Sequence, residues 1–88
     1  MEIVFLPNAN IDLDFWKKSG NTTIQKKIHS LLSSIRDTPF AGIGKPEALK
    51  YNLTGKWSRR INSEHRIIYE VLEIDQMIKV HSLRGHYN

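Results

Sequence analysis

The sequence predicts an α+β fold, with two N-terminal helices packed on one face of a mainly antiparallel sheet. Three observations predict it. Ile24, Ile28, Leu31, Leu32 and Ile35 recur at helical spacing and make one apolar stripe. Beyond residue 46 the apolar pattern changes to period two, with short polar links between successive runs, as in an antiparallel meander. Between these regions, residues 38–46 hold two Gly and two Pro, which excludes a regular element there.

Each element follows in order. Residues 2–6, Glu-Ile-Val-Phe-Leu, read as a short buried strand ended by Pro7-Asn8-Ala9-Asn10. Asn10 is a candidate cap for a helix over 11–18, with Asp12 and Asp14 in its first turn, where the helix dipole favours anions. Ser19-Gly20-Asn21 breaks that helix. The striped helix starts at Thr22 or Thr23 and runs to about residues 34–36. His29, at the border of the stripe, reads as a partly exposed helix histidine. Strands are expected over 48–53, 57–62, 65–72 and 76–83. Thr54-Gly55, Asn62-Ser63-Glu64 and Glu73-Ile74-Asp75 separate them.

The chain has 88 residues, enough for one small domain spanning 1–88. Apolar residues at 40% and charged residues at 25% exclude wholesale disorder. There is no cysteine, which excludes disulfides, Cys-ligated zinc, iron–sulfur clusters and thiol catalysis. The first six residues carry an early acid and no basic stretch, unlike a signal peptide, and no run approaches the ~20 apolar residues of a membrane span. A cytoplasmic protein without membrane contact is therefore expected. The net charge is +4, concentrated in the second half: residues 45–88 carry 8 Lys+Arg against 5 Asp+Glu. Such a distribution suits a polyanion partner.

If the helices cover one face of the sheet, alternation assigns the other. Trp57, Arg59 and Ile61 share one parity; Ser58, Arg60 and Asn62 share the other. Ile67, Tyr69 and Val71 form the apolar set of the next strand, so Arg66, Ile68 and Glu70 face away from it. Arg60 and Arg66 are thus expected on the uncovered face of neighbouring strands. They read either as a phosphate clamp of two planar donor forks or as solvated arginines near Glu64 or Glu70.

No metal or cofactor motif is present. His29, His65, His81 and His86 make no zinc-type spacing, Gly42-Ile43-Gly44-Lys45 is too short for a phosphate loop, and no GxSxG frame occurs. The remaining Glu, Lys, Arg, His and Tyr suit RNA cleavage by the strand's own 2′-hydroxyl. That reaction needs a base, cations for the phosphorane and an acid for the 5′-oxygen, and its chemistry calls for no metal. Glu47 is a candidate base, Arg60, Arg66 and Lys50 are candidate cations, and His86 is a candidate acid. Each also reads as an ordinary surface residue, His86 as a frayed terminal one.

Residues 38–70, Thr-Pro-Phe-Ala-Gly-Ile-Gly-Lys-Pro-Glu through Trp-Ser-Arg-Arg and Glu-His-Arg, with the closing Arg84-Gly85-His86-Tyr87, closely resemble the Txe/YoeB toxins of the RelE-like superfamily. The resemblance covers essentially the whole chain. It implies a RelE-like, microbial-ribonuclease-like fold. It implies a type II toxin that cleaves mRNA in the A site of the 70S ribosome and stops translation. Products would be a 2′,3′-cyclic phosphate or 3′-phosphate and a 5′-hydroxyl. It implies a YefM-type antitoxin as partner, binding of operator DNA only as the toxin–antitoxin complex, and leaves a homodimer open. By the motif, Glu47 is the general base, Arg66 the transition-state arginine, Arg60 the second phosphate contact and His86 the general acid, with Tyr87 shaping or stacking the substrate.

Three positions depart from the family pattern. Tyr51 stands where a histidine is common, and can stack or donate but does not titrate near neutrality. Lys56 stands where an aromatic is common and offers a further RNA phosphate contact. Asn88 extends beyond the Tyr87 that often ends the chain. A regular last strand would also turn His86 inward, in phase with Ile78 and Val80, so a break is expected near Gly85. Two other functions fit the same residues: a ribosome-independent ribonuclease, and a non-catalytic ribosome- or RNA-binding inhibitor. A DNA-binding module fits poorly, because the basic residues fall mostly on strands.

Overall fold

The structure, a computed structural model, describes residues 1–85. The elements run β1 (Glu2–Phe5), α1 (Pro7–Ser19), α2 (Thr22–Asp37), β2 (Glu47–Ala48), a 3-10 turn (Tyr51–Leu53), β3 (Lys56–Arg60), β4 (Arg66–Leu72) and β5 (Met77–Ser82). The sheet order is β1-β5-β4-β3-β2. β2 to β5 form the antiparallel meander, and β1 pairs parallel with β5 from Glu2↔Met77 to Phe5↔Val80.

α1 begins four residues earlier than expected. Pro7 occupies its first turn, where a fixed φ and a missing N–H cost nothing, so no side-chain cap is used. Asn10 is therefore not a cap: it lies inside the helix and donates from Nδ2 to the Phe5 carbonyl at 3.3 Å. Asp12 is not in the first turn either. It is buried, and its Oδ2 accepts the Leu83 N–H at 2.9 Å. α2 is capped by Asn21, whose side chain accepts the Ile24 N–H at 3.1 Å. Its stripe of Ile24, Ile28, Leu31 and Ile35 is buried, each side chain worth about 1.5–3 kcal/mol of apolar transfer. His29 lies on the exposed side.

The core lies between the helices and the sheet. Ala9 and Trp16 of α1 and the α2 stripe meet Ile67, Tyr69, Ile78 and Val80, with Ile61 and Leu83 at the ends. The opposite face carries Glu47, Ser58, Arg60, Arg66, Ile68 and Glu70, by the register of their strands.

Two strand expectations are corrected. The strand over 48–53 shrinks to Glu47–Ala48, with one further ladder bond from Leu49 N–H to the Lys56 carbonyl at 2.9 Å. The chain then turns at Tyr51, whose φ is +58°, and the Tyr51 carbonyl accepts both the Thr54 hydroxyl and the Thr54 N–H. Thr54 thus supplies a local alternative to the ladder. At the other end, β5 changes register before Gly85. Ile68 opposes Ser82 and Tyr69 opposes Val80, so His81 is an extra residue in a bulge. The bulge reverses parity and buries Leu83, whose N–H and C=O are taken by Asp12 and Trp16 of α1. The expected break at Gly85 is also present, with φ +77°.

Candidate active site on the open face of the sheet

Register builds the site. Arg60 and Arg66 are direct cross-strand partners, and Ser58 lies between Glu47 on one side and Ile68 on the other. Directly opposed residues share a face, with Cβ atoms roughly 5 Å apart. Like charges in such a pair destabilise a sheet, so two opposed arginines have a stability cost that packing does not explain. Among the described residues, Glu64 is paired with His65 and Glu70 with His81, and no carboxylate lies within 4.0 Å of Arg60, Arg66 or Lys50. Neither Arg60 nor Arg66 therefore forms an ion pair with Glu64 or Glu70, as fits both a phosphate clamp and a pair of solvated arginines.

A cleft of about 300 Å³ opens beside the pair. It is lined by Glu47, Lys50, Tyr51, Ser58 and Arg66, together with Ala48, Leu49, Asn52 and Leu53. The structure thus brings Glu47, Lys50, Tyr51 and Arg66 around one space. Arg60 shares the face through its register with Arg66 but is not part of the cleft wall. His86 and Tyr87 lie outside the described residues. Tyr51 is 90% exposed in a left-handed backbone conformation that bulky residues rarely adopt, so its ring projects into solvent at the rim. No group of three metal-ligating side chains gathers anywhere among the described residues.

Glu47 reaches the cleft because residues 38–46 are fixed from below. Arg59, fully buried, gives all five of its N–H groups an acceptor. Nε donates to the Tyr69 hydroxyl at 3.2 Å, and one terminal nitrogen donates to Ser34 Oγ at 2.7 Å and to the Ile43 carbonyl at 3.0 Å. The other donates to the carbonyls of Thr38 at 2.6 Å and Ala41 at 2.8 Å. The Tyr69 hydroxyl in turn donates to the Pro39 carbonyl at 2.7 Å. Burial pushes the Tyr69 phenol up from its ordinary value, against the smaller opposite pull of the Arg59 hydrogen bond and charge. The loop is also tied at its end, where the Arg60 N–H donates to the Gly44 carbonyl at 2.7 Å. Gly44 has φ +82°, and a Cβ there would stand 2.5 Å from Leu31 Cδ2 and 3.1 Å from the Arg60 carbonyl. Its glycine serves close packing of the loop on α2 and β3.

Arg59, Ser58 and His65 were not among the sequence-derived site residues. Parity did place Ser58 on the open face and Arg59 on the core face. For Arg59 the acceptors are mostly backbone carbonyls of a loop, and no residue pattern reports those. His65 touches Gly85, whose N–H donates to its Nδ1 at 2.8 Å, while Arg66 N–H donates to the Gly85 carbonyl at 3.0 Å.

Comparison with known proteins agrees with this fold. Residues 5–87 match the family model described as the YoeB-like toxin of bacterial type II toxin–antitoxin systems. The chain is similar to Toxin YoeB of Escherichia coli K12, at 41% identity over 99% of this chain and 100% of that protein. Among solved structures it is similar to a YoeB/ParE toxin from Agrobacterium tumefaciens, with TM-score 0.93 and 40% identity over 99% of this chain and 100% of that one. It is also similar to YoeB of Staphylococcus aureus, solved in a heterotetrameric YoeB–YefM complex (TM-score 0.86, 44% identity) and as a YoeB dimer (TM-score 0.87, 45% identity), over 99% of this chain and 98% of each. With a family model spanning nearly its whole length and full-length relatives above 40% identity, the chain belongs to the YoeB-like toxins of bacterial type II toxin–antitoxin systems.

Proposed function

We propose that this toxin is an endoribonuclease that cuts mRNA in the ribosomal A site. The observation that carries the reading is the meeting of Glu47 and Arg66 on one cleft of the open sheet face, neither held in an ion pair among the described residues. A carboxylate and a guanidinium left free on a solvent-facing wall can each act on a phosphodiester. Glu47 takes the proton of a ribose 2′-hydroxyl, whose oxygen attacks the adjacent phosphorus. Arg66, with Arg60 beside it, stabilises the charge gathering on the phosphoryl oxygens. The bond from phosphorus to the 5′-oxygen breaks, and His86 donates a proton to that oxygen. The products are a 2′,3′-cyclic phosphate, or its 3′-phosphate hydrolysis product, and a 5′-hydroxyl. Lys50 serves as a phosphate contact, and Tyr51 and Tyr87 serve as stacking surfaces for bases.

The ribosome supplies substrate geometry in this scheme, since positioning alone is worth roughly 7–11 kcal/mol in favourable cases. A YefM-type antitoxin is the proposed partner, and operator binding belongs to the complex of the two. A homodimer of the free toxin is proposed on the same family ground. Among the described residues no helix is long and apolar enough to cross a membrane.

The test maps mRNA 5′ ends in a purified translation system, with a ribosome-free control. Codon-phased cuts that need ribosomes are expected. Arg66→Ala is expected to slow single-turnover cleavage by at least about a hundredfold, as loss of a transition-state donor does elsewhere, while ribosome binding stays unchanged. Equal losses in both, or cuts at the same dose without ribosomes, count against the A-site reading.

A further inference from the structure

We propose that His65 is a positioning residue whose neutral imidazole holds Gly85, the attachment point of His86, against Arg66. The proposal rests on the nuclease reading above and names a part of its machinery.

Gly85 is bracketed by consecutive residues of the hairpin. Its N–H donates to His65 Nδ1 at 2.8 Å, and its C=O accepts the Arg66 N–H at 3.0 Å. With φ at +77°, its backbone stands outside the strand conformation, and these two bonds fix it against the start of β4. His65 is itself fixed. Its ring stands edge-on to Trp16, with centroids 4.9 Å apart and planes at 82°. Its N–H donates to Asn62 Oδ1 at 2.7 Å, and its C=O accepts the Ile61 N–H at 2.9 Å. Its side chain is only 15% exposed.

An accepting Nδ1 assigns the ring proton to Nε2, which points to the carboxylate of Glu64 at 3.7 Å. The other charged groups facing this region are Arg84, which lines the same hollow, Asp12 of α1, 3.8 Å from Arg84 Nε, and Arg66, next along β4. A second proton on the ring would land on Nδ1 and turn the acceptor into a donor aimed at another donor. The bracket would then hold Gly85 by Arg66 alone. His65 therefore ties the placement of Gly85 beside the Arg66 backbone to the state of one nitrogen.

Two substitutions separate this from general packing. His65→Asn places a carbonyl oxygen near the site of Nδ1 and has no proton to gain. His65→Leu fills space without an acceptor. The full-length proteins are compared by single-turnover mRNA cleavage on ribosomes and by the amide-exchange protection of Gly85, both as a function of pH, with Ile67 as a core reference. In the parent protein, Gly85 protection and cleavage are expected to fall together on acidification while Ile67 stays protected. His65→Leu is expected to lose Gly85 protection and to cleave roughly tenfold more slowly, the scale of one lost hydrogen bond. His65→Asn is expected to restore both, with Gly85 protection now independent of acid. A Leu variant that cleaves like the parent, or an Asn variant that is folded but no better than Leu, overturns the proposal. If the parent leaves mRNA intact, the nuclease reading fails, and Gly85 protection still decides whether His65 holds the bracket.

Discussion

Arg59 and Arg60 are neighbours on β3 and have opposite surroundings. Arg59 points into the core, where every N–H of its guanidinium meets an oxygen and none of those oxygens is a carboxylate. Arg60 points to solvent, opposite a second arginine. One residue of strand alternation separates a cation that organises the loop delivering Glu47 from a cation free to meet a phosphate. Charge alone does not tell the two arginines apart; the number of donors already committed to the protein does.

The comparison breaks most visibly at Arg59. Arg59→Met strands the carbonyls of Thr38, Ala41 and Ile43 and the hydroxyls of Ser34 and Tyr69, and is expected to cost about 3–5 kcal/mol of unfolding free energy. Urea denaturation measures it, and a loss below about 1 kcal/mol would mean that the guanidinium does not anchor the loop. Tyr69→Phe removes one acceptor from Arg59 and one donor to Pro39, at about 1–2 kcal/mol. It also has a pH signature. Burial raises the Tyr69 phenol above its ordinary 10.0, so the folded protein holds that proton more tightly than the unfolded chain. The resulting stability is fully present below the unfolded value and is lost as pH rises through the higher folded one. Denaturation curves on the alkaline side should fall more steeply for the parent than for the Phe variant; parallel curves would contradict this. Arg60→Ala should change stability least, within about 0.5 kcal/mol, and any shift should be a gain because a like-charged neighbour of Arg66 is removed. Its cleavage rate should still drop, which single-turnover assays on ribosomes would detect. A clear melting-temperature loss would show that Arg60 also holds the fold.

Much of this was legible in the residues. The α2 stripe fixed that helix because a 3.6-residue period survives any tertiary context. Parity put Arg60 and Arg66 on one face because alternation is geometric. The failures have equally physical causes. Residues 48–53 alternate like a strand, yet the Thr54 hydroxyl and a left-handed Tyr51 satisfy the backbone locally. Asn10 looks like a cap, yet Pro7 starts the helix earlier. The bulge at His81 was invisible, because a single extra residue leaves no compositional trace. In the candidate site, motif and parity singled out Glu47 and Arg66, which line one cleft, while the buried donors of Arg59 and the His65–Gly85 contact depend on backbone acceptors and donors that no side-chain pattern announces.

The strand order has a consequence for the toxin's own birth. Among the described strands β1 hydrogen-bonds only to β5, the one farthest from it along the chain. During synthesis, therefore, the first strand has no strand partner until β5 has emerged, and the sheet closes only once β5 is made. A toxin built this way keeps its first strand unpaired until residues 77–82 of its own chain have been made.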